Sequence, residues 1–455
     1  MNIYRLRSLH ALLNGFHELE NQEIYFASHE ELNDPLEGTI NFFWKGDEVV
    51  WKGLLRHYLY CLEVGFSLAL LDIPWNKYMD AVTGHMSNIY EKGETLAFPE
   101  ISERFFAYGR VQDLIRYLST RAEPVKEDEL ATHLAFIQMI ALSCIAAVYQ
   151  ERGCMSNEDL VEYLSGFPTD SFYSILLENE SGAETFYPEI FFRVAQREME
   201  RSNLRFLLKY VDSNLTQDRL FFLSSDFPKC YVSQVKGLTY RKGIVACFMS
   251  SCTDMAVWGH YGDNHKGACL IFRGDANLKL TQVDGTVCYP AFEKVEYSDE
   301  QVNIDFFRSL MTLTEATVRN EWYTDIEGNT SECMDIFNDF ATVHQKYWAN
   351  ISESQKRKTT YWANENEYRL IINRHWYQLS HTSSSHPSKK MKYDFADLEG
   401  IVFGIRTPAA QKIEIIKILL EKCKQNNRSD FKFYQAQFNH EKHEMVFDEL
   451  KFFRS

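Results

Sequence analysis

Between Trp44 and Lys236 apolar residues recur at helical spacing, whereas the sequence on either side reads as strand. The runs "WKGLLRHYLYCLEVGFSLALL", "DLIRYLSTRAEPVKEDELATHLAFIQMIALSCIAAVYQ" and "YPEIFFRVAQREMERSNLRFLLKYV" carry the helical pattern, punctuated by Pro74, Pro99, Pro124 and Pro168. Ahead of them lie the strand-like "NIYRL" and "EIYFAS", with Ser8 placed to cap a short helix "LHALLNGF" between. Behind them come "GIVACFMSS", "ACLIF", "YWANENEYRLII", "LEGIVFG", "FKFYQAQF" and "EMVFDELKFF". A helical stretch is expected around 300–350, and another helix that Thr407 caps with Pro408 at its first position. A chain that begins and ends in strands around a block of helices can build one sheet from both ends. The expectation is an α+β protein with a mixed or antiparallel central sheet. Residues 1–44 and 241–455 form its split core, and 45–240 an all-helical insertion.

Charge narrows the function. Lys and Arg number 48 against 64 Asp and Glu, a formal net charge of −16, which argues against bulk electrostatic capture of nucleic acid or an anionic membrane. The ten cysteines form no C-x-x-C pair and no regular framework, so they read as reduced thiols of a cytoplasmic protein. No secretory signal is visible in "MNIYRLRSLHALLNGF". The most apolar run, Leu134 to Tyr149, carries Gln138 and Ser143 and falls short of the ~20 residues a membrane span needs. A buried helix is expected there. Dinucleotide-binding G-x-G-x-x-G, Walker A, G-x-S-x-G and H-E-x-x-H motifs are absent from the sequence.

The chemistry concentrates in "TTYWANENEYRLIIN", residues 359–373, where Glu365, Glu367 and Arg369 stand two apart. On a strand they share one face, and charges on a core-seeking face are costly unless something meets them. A helix would make Glu365 and Arg369 a routine surface pair, but Tyr368 and Leu370 to Ile372 favour a strand. Two carboxylates so placed can hold a sugar hydroxyl and position an attacking group. In "VWGHYGDNHKG", Trp258, His260, Tyr261 and His265 form either a ligand platform on a turn or a core tryptophan beside a backbone-satisfied histidine. The five-residue step from His260 to His265 fits neither usual zinc spacing, so no metal is expected. In "NDPLEG", Asn33, Asp34 and Pro35 are turn formers, and Asp34 and Glu37 offer two carboxylates to a cation. Arg5, between Tyr4 and Leu6, calls for an anionic partner, Glu367 or a ligand phosphate, with Tyr4 beside it as a ligand contact.

Four fragments in order carry a resemblance: "IYFASHEELNDPLEG", "CFMSSCTDMAVWGHYGDNHKGACLIF", "YWANENEYRLII" and "LEGIVFGIRTP". Asn33, Asp34, Pro35 and Glu37 match an N-D-P-x-E turn; Trp258, His260, Tyr261, Asn264, His265 and Gly267 match W-x-H-Y-x-x-N-H-x-G. Trp362, Glu365, Glu367, Tyr368 and Arg369 match W-x-x-E-x-E-Y-R. Together they resemble the domain-of-unknown-function family numbered 2971. More distantly, Arg5, Ser28 and Glu365-x-Glu367 resemble the mono-ADP-ribosyltransferase order of Arg or His, Ser or Tyr, and Glu-x-Glu. That resemblance implies an enzyme that consumes NAD, by ADP-ribosyl transfer or glycohydrolysis, as a bacterial toxin or antiphage effector. Glu367 would face the reacting sugar, Arg5 would hold the pyrophosphate or ribose, and Ser28 would brace the glutamate. The acceptor, whether protein, nucleic acid or water, stays open. Two other readings are a non-catalytic ligand- or partner-binding module and a metal-dependent nuclease built on Asp34, Glu37, Glu365 and Glu367.

Overall fold

Strand β1 (Asn2–Arg7) lies inside a nine-stranded mixed sheet assembled from both ends of the chain. The other main strands are β2 (Ile244–Met249), β3 (Ala268–Arg273), β4 (Glu293–Lys294), β5 (Glu367–Ile372), β6 (Leu398–Phe403), β7 (Lys432–Asn439) and β8 (Glu444–Leu450). Their order is β4-β5-β2-β1-β3-β6-β7-β8, and the short strand Ala27–Ser28 adds to β2. Neighbours run antiparallel except β6 and β7, which are parallel and joined through the helix Ala409–Gln425, as a parallel pair requires a crossover. The computed structural model describes residues 1–34, 36–70, 97–154, 193–194, 196–197, 200–201, 222–239, 243–274, 277–372, 388–441 and 443–452.

Period-2 alternation decides what each face of the sheet meets. Ile3, Ala246, Phe248, Leu270, Phe272, Leu370, Ile401 and Phe403 point to one side, where Ile415 and Leu419 of the helix Ala409–Gln425 join the same core. Leu6, Met249, Cys269, Ile271 and Val402 point to the other, against Val257 and Trp258 from the helix Met255–Tyr261. Two further pieces flank this sheet in sequence. Glu23–Tyr25, Lys390–Tyr393, Leu280–Thr281 and Val287–Cys288 form a four-stranded sheet, and Glu296–Tyr297 pairs in parallel with Arg357–Lys358.

The chain divides into two compact units, Met1–Ile40 with Arg241–Val302 and Trp348–Ser455, and Asn41–Tyr240 with Asn303–Tyr347. The second unit contains α1 (Glu48–Leu70), α2 (Phe98–Phe106), α3 (Gly109–Thr120), α4 (Glu127–Glu151) and α5 (Phe227–Val235). In α1 the buried Val50, Trp51, Leu54 and Leu55 recur at three- and four-residue steps, and from His57 to Glu63 every residue is buried, so the helix is enclosed on all sides there. Three acidic residues, Glu127, Asp128 and Glu129, open α4 where the helix dipole favours negative charge. Among the described residues α4 is the one helix long and apolar enough to cross a membrane, and 72% of its apolar window is buried in the protein. Its Gln138 is satisfied inside, accepting from the Tyr58 hydroxyl and donating to the Leu223 carbonyl.

Several local expectations need correction. Residues 303–347, read from sequence as core, cluster with the helical unit. Thr407 does not cap a helix: its hydroxyl donates to the Gly267 carbonyl at 2.7 Å, and the helix begins at Ala409 behind an extended Pro408. Ser8 does accept from the Ala11 amide at 3.2 Å, as a cap should. Pro35, Pro74, Pro168, most of 187–211 and 381–387 lie outside the described residues. Leu270, 2% exposed in the core between β1 and β6, provides a test of the sheet. Leu270→Ala is expected to cost about 2–5 kcal/mol, read as a lower denaturation midpoint by circular dichroism.

Candidate functional site: a buried carboxylate cluster with two cations

Strand β5 begins at Glu367 and pairs with β2 through Glu367 opposite Met249 and Arg369 opposite Cys247. Both charged side chains therefore share the face of Met249, which is buried against Leu6 and Trp258. Glu365 arrives by another route. It ends the 3-10 turn Thr360–Glu365, and Asn366 at φ 45° redirects the chain into the strand. The pleat expected to align all three charges aligns two, and a left-handed residue brings in the third. Lys358 comes from the parallel pair with Glu296–Tyr297, while Asp34 and Glu37 come from the turn after the short 3-10 helix His29–Glu31.

These side chains meet in one network. The Lys358 ammonium lies 2.7 Å from Glu365 Oε2, 3.0 Å from Glu367 Oε2 and 3.7 Å from Glu37 Oε2. Arg369 Nε donates to Glu367 Oε1 at 2.8 Å, a second guanidinium nitrogen bonds Glu37, and a third donates to the Gln355 carbonyl at 2.7 Å. Tyr261 donates its hydroxyl proton to Glu365 Oε1 at 2.9 Å, and Thr359 donates to Asp34 Oδ2 at 3.2 Å. The Glu367 amide donates to the Tyr297 hydroxyl at 2.8 Å, locking the start of the strand. Above Lys358 sits the Trp362 ring, its centroid 4.8 Å from the ammonium, and the exposed His260 meets Trp362 edge-on at 6.1 Å.

Residues 257–370 match the model of the DUF2971 family, described as a protein of unknown function. No curated protein and no solved structure matches the chain. The matched DUF2971 stretch holds Trp258, His260, Tyr261, Lys358, Trp362, Glu365, Glu367 and Arg369, whereas Asp34 and Glu37 reach the cluster from outside it.

Asp34, Glu37, Glu365 and Glu367 bring four carboxylates to two cations, Lys358 and Arg369, all of them buried. Burial disfavours charge, so the Glu367 carboxyl is pushed up from its ordinary value against the pull of Lys358. Burial by itself would lower the Lys358 ammonium, but Glu367, Tyr261 and Glu365 outweigh it and hold it above its ordinary value. Arg369 is drawn down to about 9 by burial, with Asp34 opposing. The Tyr261 hydroxyl and the Cys247 thiol are both raised by burial, so both keep their protons at neutral pH. Glu37, Cys247 and Glu367 present ligand atoms within 4.8 Å of one another, a set able to approach a metal ion. Lys358 and Arg369 engage the same glutamates, and an ion would have to displace them.

Arg5 and Ser28 do not join this cluster. Arg5 projects to the opposite face of the sheet, where its guanidinium lies 5.0 Å from the Phe248 ring centroid and donates to the Tyr25 carbonyl at 2.8 Å. The anionic partner expected for it is replaced by an aromatic ring and a main-chain oxygen. Burial lowers its pKa to about 10. Ser28 bonds Glu31 through its amide and hydroxyl, at 2.9 and 3.2 Å, and opens the His29–Glu31 turn instead of bracing a glutamate of the cluster. On the Glu367 side of β1, Tyr4 is the residue level with Glu367, since Tyr4 pairs with Met249 and Met249 with Glu367.

The aromatic turn divides similarly. Trp258 is fully buried with its indole N–H on the Cys252 carbonyl at 2.6 Å, and His265 stacks on it with centroids 6.4 Å apart. These two brace the turn, in which Asp263, Asn264 and His265 all take positive φ. Tyr261 and His260 are the members that reach the cluster and its rim. Asn33 is exposed in the turn that delivers Asp34. Lys358, Trp362 and Tyr297 escaped the sequence reading as site residues. Lys358 precedes Glu365 by seven and Glu367 by nine positions, and no single helix or strand puts all three on one face.

Replacing Lys358 by Met should leave Glu365 and Glu367 buried without their shared ammonium. Such a loss typically costs about 3–5 kcal/mol, measurable by denaturant unfolding at pH 7. A carboxyl with a raised folded pKa gains relative stability as pH falls, because the folded form then binds more protons. The deficit of Lys358→Met should therefore narrow from pH 7 to pH 5, and a constant deficit would contradict the assigned role of Glu367.

Proposed function

We propose that the protein consumes NAD, by ADP-ribosyl transfer or glycohydrolysis, and that Glu367 is the carboxylate facing the reacting ribose. The observation that carries this reading is the surplus of carboxylate over cation around Lys358 and Arg369: four acidic side chains against these two basic ones. A low-dielectric pocket with excess negative charge favours a developing cation, and the nicotinamide–ribose bond breaks through an oxocarbenium-like centre. The bonding pair leaves with the ring nitrogen, neutralising the pyridinium. The nucleophile, water or an acceptor, then adds to the anomeric carbon and gives up its proton. Glu367 would grip the ribose 2′-hydroxyl, and Glu365, held by Tyr261, would position the nucleophile. Tyr4 takes the place on β1 that the resemblance implied for Arg5, because Tyr4 alone of the two shares the face of Glu367.

Lys358 stands where the positive charge of the substrate would be drawn, and Trp362 covers it. Admission of a dinucleotide requires the turn Thr360–Glu365 to move and Lys358 to yield one of its carboxylates. A binding module without turnover is the second reading, favoured by the burial of Glu365 at 3% and Glu367 at 1% exposure.

Incubation of the full chain with NAD, with and without acceptor protein or nucleic acid, should release nicotinamide. Glu367→Gln should lower the rate by about a hundredfold or more, and Arg5→Met should leave the rate per folded molecule unchanged. NAD binding without nicotinamide release establishes the binding module, and full turnover by Glu367→Gln overturns the assignment of the carboxylate.

A further inference from the structure

The helical unit contains a cavity of about 660 Å³ between α1, α2 and the segment Glu321–Glu327. This is within the size range of small-molecule sites. Its walls follow helix periodicity: Val49, Lys52, Gly53 and Arg56 form one face of α1, and Phe98, Ser102 and Phe106 one face of α2. Beside Gly53 run the Trp322 and Glu321 carbonyl oxygens, which a Cβ there would meet at ordinary contact distances of 3.5 and 3.6 Å. Those oxygens end the turn Val318–Trp322, and the C-terminal end of such a turn presents partial negative charge.

Charge in the lining is also unbalanced. Glu103, Glu321, Asp325 and Glu327 face the cavity against Lys52 and Arg56. Lys52 lies 3.8 Å from Glu48, and the Arg56 guanidinium sits 6.0 Å from the Phe98 ring centroid. Phe98 is 1% exposed beneath that guanidinium, so Phe106 and Ile326 supply the apolar surface that a ligand can reach. At the rim, Asp325 accepts from the amides of Glu327 and Asn329 at 3.0 and 2.8 Å, and Thr324 bridges to Thr330. This hairpin holds Ile326 87% exposed beside the cavity, an apolar side chain kept in water by a well-bonded turn.

We propose that this cavity binds a small organic cation with a flat apolar body, an arylalkyl amine in chemical class. The ring would lie against Phe106 and Ile326, and the ammonium would face Glu103 and Glu321 with the carbonyls beside Gly53. The site belongs to the helical unit and stands independently of NAD chemistry.

Calorimetric titration of the full chain with tryptamine, indole-3-ethanol and indole-3-acetate tests the charge at constant ring shape. Tryptamine is expected to bind about tenfold or more tightly than either analogue, a difference of about 1.4 kcal/mol. The double variant Glu103→Gln/Glu321→Gln, with both changes on side chains reached by solvent, should erase the preference while keeping the thermal unfolding midpoint. Absence of tryptamine binding, equal binding of the three probes, or an undiminished preference in the double variant overturns the proposal.

Discussion

Two cations among four buried carboxylates are the arrangement on which the candidate site depends. Lys358 and Arg369 each touch two or more acidic groups drawn from separate parts of the chain. Taking so many charges out of water is favourable only if their mutual bonds are well made, because each isolated ion would be expelled or neutralised. The cluster therefore ties together the N-terminal turn with Glu37, the strand pair with Lys358 and the central strand with Glu367 and Arg369. Its geometry and its chemistry come from the same contacts.

That coupling explains the closed state of the site. Glu365 and Glu367 each spend an oxygen on Lys358, and Trp362 covers the ammonium. Four carboxylates still face two cations, and burial leaves Glu367 with a raised pKa despite the pull of Lys358. An electrostatic centre of this kind resists solvent yet favours an incoming positive charge. The cavity of the helical unit is likewise lined by more carboxylates than cations, Glu103, Glu321, Asp325 and Glu327 against Lys52 and Arg56.

The role given to Arg5 shows how period 2 both guides and misleads. Its apolar neighbours correctly indicated a buried strand, and a buried guanidinium does require compensation. Which face it points to depends on register with β2, and Tyr4 opposite Met249 sends Arg5 away from Glu367. Its compensation is a carbonyl and an aromatic face. Glu365 offers the converse lesson, since it reaches the cluster from a turn although its sequence spacing suggested a strand.

The sequence by itself determined the strand-bounded helical block, a mixed sheet drawing on both ends of the chain, and the unusual placing of Glu365, Glu367 and Arg369 beside core residues. Those features follow from local periodicity and from the cost of burying charge, both of which are written residue by residue. Only the tertiary structure decided that Lys358 joins the glutamates, that Asp34 and Glu37 come from the other end of the chain, and that Arg5 and Ser28 lie elsewhere. Register between distant strands and the direction taken after a left-handed residue such as Asn366 are properties of the assembled sheet, and no local pattern encodes them.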